Sequence, residues 1–163
     1  MIDEGLFDEF PADAVFGLHN WPGLPAGEIA TRPGPLMASA DRFDLTIHGK
    51  GGHAAMPHMT NDPVVIGSQI VTAIQSIVAR NVNPLEQGVI TVANFKAGTG
   101  AENIIADTAL LSGTIRAFNQ ETRQLLHKRL TEIVEHTAAA FGAKADLNIR
   151  IGYDPTVNSA DET

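Results

Sequence analysis

From about residue 37 the chain alternates between two hydrophobic periods. Phe43, Leu45 and Ile47 alternate with Asp44, Thr46 and His48, which predicts a strand with one buried face. After the loop Gly49-Lys50-Gly51-Gly52-His53, Asn61 or Asp62 can cap a helix that has Pro63 at its first position. Ile66, Ile70, Ile74 and Ile77, flanked by Val71 and Val78, carry helical spacing to about Arg80. A turn at Asn81-Val82-Asn83-Pro84 leads to a second strand, Gly88 to Lys96, and a third is predicted from Thr108 to Phe118. Asn119 caps a second helix, with Leu126, Leu130, Ile133, Thr137 and Phe141 on one face and Gly142 at its end. Leu147, Ile149 and Ile151 alternate in a fourth strand. The order β-α-β-β-α-β predicts an α+β fold, the ferredoxin-like sandwich: a four-stranded antiparallel sheet with two helices on one face and strand order 4-1-3-2. Many unrelated proteins use this fold, so it assigns no function.

The first 36 residues are different, being rich in Pro, Gly and acids. Ala14 to Leu18 is a short apolar run that predicts a buried strand, ending in the loop His19-Asn20-Trp21-Pro22-Gly23. The opening Met1 to Phe7 reads like the middle of a helix, cut rather than begun. Arg32-Pro33-Gly34-Pro35 marks a break, and Asp154-Pro155-Thr156 ends the regular region. The expected organisation is therefore a flanking segment (1–36), a folded domain (37–152) and a second flank (153–163).

Charge sharpens that division. The 163 residues carry 11 Lys+Arg and 19 Asp+Glu, a net charge of −8. Residues 37–152 hold ten acids and ten bases, so the charge lies in the flanks, where nine acids face Arg32 alone (1 − 9 = −8). An acidic balance gives no basic footprint for nucleic acid. No apolar run approaches the 18 residues of a membrane span, and no basic segment followed by an apolar core opens the chain. Cysteine is absent, which excludes a thiol nucleophile and fits a reducing cytoplasm.

Six histidines are candidates for chemistry. His127 and His136 lie among charged neighbours on the second helix and are expected to be solvated; His48 lies on the polar phase of the first strand. His19 stands where the expected strand meets its loop, the place where α/β sheets gather ligands. A structural histidine bonded to backbone is the competing reading. No H-E-x-x-H, no H-x-D and no paired carboxylates accompany it, so any metal it binds needs ligands from outside this chain. His53 follows three glycines and precedes Ala54 and Ala55, which leaves it uncrowded; it is either a ligand-facing group or an incidental loop residue. Asn103 lies in the loop Gly98-Thr99-Gly100-Ala101-Glu102-Asn103 and is a turn residue or a binding one. Arg116 has the planar fork that suits a carboxylate, against the alternative of an exposed residue on the open sheet face.

Three segments together carry a family resemblance: Phe16-Gly17-Leu18-His19-Asn20-Trp21-Pro22, Gly51-Gly52-His53-Ala54-Ala55-Met56-Pro57-His58 and Gly98-Thr99-Gly100-Ala101-Glu102-Asn103-Ile104-Ile105. They resemble the metal-dependent amidohydrolases that include hippurate hydrolase and N-acyl-amino-acid amidohydrolases, with aminoacylase and succinyl-diaminopimelate desuccinylase as more distant relatives. One departure is Ala106, where the family more often has Pro. The resemblance implies that residues 37–152 are a lid, or dimerisation, domain inserted in a two-metal catalytic domain. It implies that His19 is a metal ligand and that His53 helps to polarise the scissile carbonyl. It also implies that Asn103 and Arg116 hold the substrate, with Arg116 taking its carboxylate. Divalent ions (Zn, Mn, Ni or Co) would then be the parent's cofactors, with the other ligands and the base upstream. By itself the chain is expected to be inactive and to bind metal only weakly.

Topology adds an expectation about assembly. His53, after strand one, and Asn103, before strand three, fall at one end of the sheet, and Arg116 near the other. The 13 residues from Asn103 to Arg116 span roughly 40 Å if extended, too far for one small substrate. If both act, His53 and Asn103 serve the partner's site in a symmetric homodimer, and the apolar edge Val89 to Phe95 is the likelier pairing strand. Two rival readings are a dipeptidase or desuccinylase of the same superfamily, and a non-enzymatic ferredoxin-like module that binds a small ligand.

Overall fold

The computed structural model describes residues 1–161. The chain forms two compact units: Met1–Gly34 together with the residues from Asn158, and Pro35–Val157. The first unit has little regular structure. A 3-10 turn at Ile2–Glu4 and a one-turn helix α1 (Leu6–Glu9) replace the continuous helix expected at the start, because Gly5 between them takes φ 86°. The strand expected at residues 14–18 does not form, and Val15, Phe16 and Leu18 are exposed. An apolar run makes a strand only where another strand supplies its ladder, and none does so among the described residues.

The second unit begins with β1 (Gly34–Met37) and β2 (Ala40–His48), followed by the two-residue β3 (Gly52–His53). Next come α2 (Pro63–Arg80), β4 (Gly88–Ala97), the short β5 (Ile104–Ile105) and β6 (Thr108–Ala117). The unit closes with α3 (Gln120–Ala140), β7 (Lys144–Tyr153) and β8 (Thr156–Asn158). The main sheet is antiparallel with order β4-β6-β2-β7, which is the order 4-1-3-2 expected of a ferredoxin-like sandwich. Two small ribbons, β1 with β8 and β3 with β5, are additions that the hydrophobic pattern did not announce.

Capping sets the helix starts. Asp62 Oδ1 accepts from Val64 N at 2.8 Å, with Pro63 as first residue, and Asn119 Oδ1 accepts from Thr122 N at 2.8 Å. Ile66, Ile70, Ile74 and Ile77 of α2 and Leu126, Leu130, Val134 and Ala138 of α3 close over Phe43, Leu45, Ile47, Leu111 and Ile115. By length and composition α2 would pass for a membrane-crossing helix, but its isoleucine stripe is core. The buried face of α3 is rotated from the expected one, running through Val134 and Ala138, and Phe141 is exposed. Ile151 is also exposed, because a bulge between the Ala40 and Arg42 pairings breaks the alternation of β7 after Ile149. A second bulge, between Val92 and Asn94, turns Phe95 inward over Gly67 of α2.

One polar interaction runs through this core. Asp41 lies on the buried phase of β2 and Arg123 on the buried phase of α3, and both are almost fully inaccessible. Arg123 Nε and Nη2 donate to the two carboxylate oxygens at 2.7 and 2.6 Å. Gly152 N donates to Oδ1 at 2.9 Å and His127 Nε2 to Oδ2 at 2.8 Å. His127, expected to be solvated, is thus part of a buried network. Arg123 Nη1 reaches Asp154 in the turn between β7 and β8. Burial alone would raise the Asp41 pKa. The bonds from Arg123, Gly152 and His127 outweigh it and hold the carboxyl at about 2, below its ordinary 3.8. The same partner and Asp154 raise the Arg123 pKa against its own burial.

Two stability predictions follow from these contacts. Asp41→Asn removes the buried counter-charge of Arg123, leaving only the exposed Asp154, and should cost about 3–5 kcal/mol in chemical denaturation at pH 7. Because the folded pKa is depressed, the stabilisation from Asp41 is complete above pH 4 and drains away as pH falls from about 4 to 2. The wild type should lose about 2 kcal/mol from this group over that window, and the variant should lack this component. Gly113 in β6 has no room for a side chain: an added Cβ would lie 1.9 Å from Thr91 O and 2.6 Å from the Phe43 ring. Gly113→Ala should therefore destabilise by about 3 kcal/mol, at the upper end of ordinary overpacking, read by the same titration.

Candidate functional site

The sequence-predicted residues of the second unit fall at two places. At one end of the sheet, β3 and β5 pair antiparallel, with Gly52 opposite Ile105 and His53 opposite Ile104. Ala54 N donates to the Asn103 carbonyl at 2.9 Å, so the two loops that carry His53 and Asn103 are joined by main-chain bonds. Met56 N donates to His53 O at 2.8 Å and Ala55 N to His53 Nδ1 at 3.1 Å, closing a tight turn around the histidine. Lys50 and Asn61 exchange main-chain bonds of 2.9 Å each, which ties the same loop to the start of α2. His53, His58 and Asn103 are all exposed, and the Asn103 side chain makes no bond among the described residues.

Arg116 sits on β6, opposite Val89 of β4 and in phase with Leu110, Ser112 and Thr114 on the face away from the helices. Its Nη1 donates to the carbonyls of Asp41 at 3.3 Å and Ile115 at 3.2 Å. Its other guanidinium nitrogens have no acceptor among the described residues, and no carboxylate faces it. A half-buried cation steadied by main chain, with donors to spare, is chemically suited to an incoming anion.

The separation along β6 is set by register. Thr108 pairs with His48, beside the His53 loop, and Ile115 pairs with Asp41. The eight residues from Thr108 to Arg116, at about 3.3 Å each, span roughly 26 Å. β5 and its partner β3 follow at the Thr108 end, with the Gly49 N to Asp107 O bond between the two sets of pairings. The stretch of β6 from Thr108 to Arg116 by itself exceeds the reach of one small substrate.

His19, in the first unit, is exposed, and its Nδ1 lies 3.3 Å from Asn20 O, with the Trp21 ring edge-on at 6.2 Å. It does not end a strand, since residues 14–18 form none. Among the described residues no three His, Cys, Asp or Glu side chains gather to hold a metal ion. A lone exposed imidazole does not make a metal centre, so no chemical step is assigned to a metal in this chain. A concavity on the open sheet face, lined by Asp44, Thr46, Asn94, Lys96, Leu110 and Ser112 among others, contains none of the predicted site residues.

One residue of this region was overlooked in the sequence. Asp107 Oδ1 accepts from Gly51 N at 2.9 Å and its carbonyl accepts from Gly49 N at 2.8 Å, so it braces the glycine loop before His53. Its signal was an Asp directly before a strand, a type that commonly bonds nearby backbone.

Comparisons with known proteins agree with this architecture. The family model described as the peptidase dimerisation domain matches residues 39–141. An N-acetyldiaminopimelate deacetylase of Streptococcus sanguinis is 46% identical over 162 residues, 99% of this chain and 43% of that protein. The N-acetyl-L-cysteine deacetylase of Bacillus subtilis is 42% identical over 158 residues, covering 97% of this chain and 37% of that protein. Among solved structures, a Bacillus subtilis protein described as a dinuclear metal-binding peptidase of the M20 family superposes with a TM-score of 0.66 at 32% identity. That match covers 87% of this chain and 34% of the other. The chain spans about two-fifths of the length of these curated relatives. With a matching model over more than half its length and the β-α-β-β-α-β sandwich in place, the chain belongs to the M20 peptidase dimerisation-domain family, whose members here are parts of amidohydrolases and deacetylases.

Proposed function

We propose that this chain is the lid and dimerisation module, with flanking catalytic-domain segments, of a cytoplasmic hydrolase that cleaves the amide bond of N-acyl amino acids. The observation that carries the reading is the placement of its polar groups: His53 and Asn103 beside the Thr108 end of β6 and Arg116 near its other end, with roughly 26 Å of strand between Thr108 and Arg116. In a symmetric dimer the first pair faces the partner's substrate while Arg116 binds the carboxylate of its own. His53 then donates to the carbonyl oxygen as charge develops on it, and Asn103 helps to hold the amide. The deacetylase names of the relatives favour an acetyl group over the benzoyl group of hippurate.

The edge strand β4 supports self-association. It is ten residues long with Val89 exposed, and lies at the border of a domain whose formal charge is zero. His19 serves as one metal ligand in the parent, the others coming from sequence outside this chain. Lack of cysteine fits the reducing compartment.

Complementation tests the division of labour. In the longer enzyme, Arg116→Ala should lower kcat/KM about 10- to 100-fold, mostly through KM, as loss of a charged hydrogen bond does, and His53→Ala should lower kcat. Mixing the two variants should restore about a quarter of wild-type activity, since half of the exchanged dimers are mixed and each mixed dimer has one intact site. A mixture no more active than its components would refute the shared site. The chain alone should hydrolyse neither hippurate nor an N-acetyl amino acid.

A further inference from the structure

The turn around His53 fixes more than its position. Ala55 N–H points at His53 Nδ1 from 3.1 Å, and a main-chain amide can only donate. Nδ1 must therefore offer its lone pair, and the proton of the neutral ring sits on Nε2. The two flanking amides are also committed, Ala54 N to Asn103 O and Met56 N to His53 O. The ring is thus held on its Nδ1 side and presents Nε2–H outward.

What keeps that turn in place lies before it. Gly51 runs flush against β5: an added Cβ would lie 2.5 Å from Ile105 O and 3.0 Å from Asp107 Oδ1. Asp107 bonds Gly51 N through its carboxylate and Gly49 N through its carbonyl. It grips the loop at two points, two and four residues before His53. From there the β3–β5 pairing carries the geometry to the histidine.

We infer that Asp107 is a positioning residue which, through the Gly51 amide, holds His53 as a fixed Nε2–H hydrogen-bond donor. This deepens the proposed function and rests on it for its catalytic meaning. A histidine fixed in this form polarises a carbonyl and steadies an oxyanion, and its neutral ring cannot turn Nδ1 to substrate as a base. Asn103, whose carbonyl holds Ala54, then binds substrate with its side chain while its main chain helps to shape the donor.

The test is nitrogen-15 NMR of the 163-residue chain at pH about 8.5, above the ordinary imidazole range. Long-range correlations should show His53 protonated at Nε2 and bare at Nδ1, with the Gly51 and Ala55 amides protected from exchange. Asp107→Ala should speed exchange at both amides by about tenfold, roughly what one hydrogen bond supplies, and let the two tautomers average. Asp107→Asn, which keeps a side-chain acceptor, should restore both. A wild-type His53 protonated at Nδ1 overturns the inference even if the alanine variant does not fold. So does an alanine variant in which Gly51 alone loses protection. The spectra do not depend on enzymatic activity. A correct tautomer in a longer protein that hydrolyses no N-acyl amino acid would refute the proposed function and leave the tautomer assignment standing.

Discussion

The domain is organised around a carboxylate that has no access to water. Asp41 interrupts the apolar phase of the central strand β2, and its four donors come from α3 and from the end of β7. A buried charge is tolerable only when it is paired and its lone pairs are filled. The helix must therefore dock at the height that brings Arg123 to Asp41, and β7 must bulge where Gly152 can turn its N–H inward. Hydrophobic burial drives the two helices onto the sheet but is indifferent to a shift of a few ångströms along it. The ion pair is not indifferent, and it selects one register. Its outer arm reaches Asp154, so the guanidinium that locks the helix also holds the turn by which the chain leaves the sheet.

Arg116 belongs to the same neighbourhood. Its Nη1 binds the Asp41 carbonyl, so the backbone that presents one buried anion steadies the cation proposed for another. At the far end, His53 and Asn103 depend on short main-chain pairings and on Asp107. The two ends are separated by the length of β6, and that rigid distance, more than any property of the individual side chains, requires a site built from two copies if both ends act.

The amphipathic elements were legible because their periods are local. Phe43, Leu45 and Ile47, the α2 isoleucine stripe and the caps Asp62 and Asn119 each follow from residues within a few positions of one another. Arg123 shares a face with Leu126 and Leu130, and Asp41 shares a phase with Phe43, but the periodicity alone singled out neither charge. Their pairing was not visible, because 82 residues separate them. Phe141 and Ile151 were misread for a related reason. A helix face can rotate by a fraction of a turn and a bulge can reverse a strand's alternation without changing the local pattern. The apolar run at residues 14–18 shows the converse limit, since its hydrophobicity does not create the strand it would need beside it.

The sequence by itself determined the α+β class, the order of the elements, the strand order of the sheet and the histidine, asparagine and arginine worth examining. It did so because period, capping and turn chemistry act over a few residues, and chain connectivity leaves few ways to arrange four strands. Only the tertiary structure decided the partners of Asp41, the main-chain pairing that joins the His53 and Asn103 loops, and the donor that fixes the His53 ring. Those depend on which distant backbone groups meet, a choice made by burial and by the satisfaction of polar groups across the whole fold.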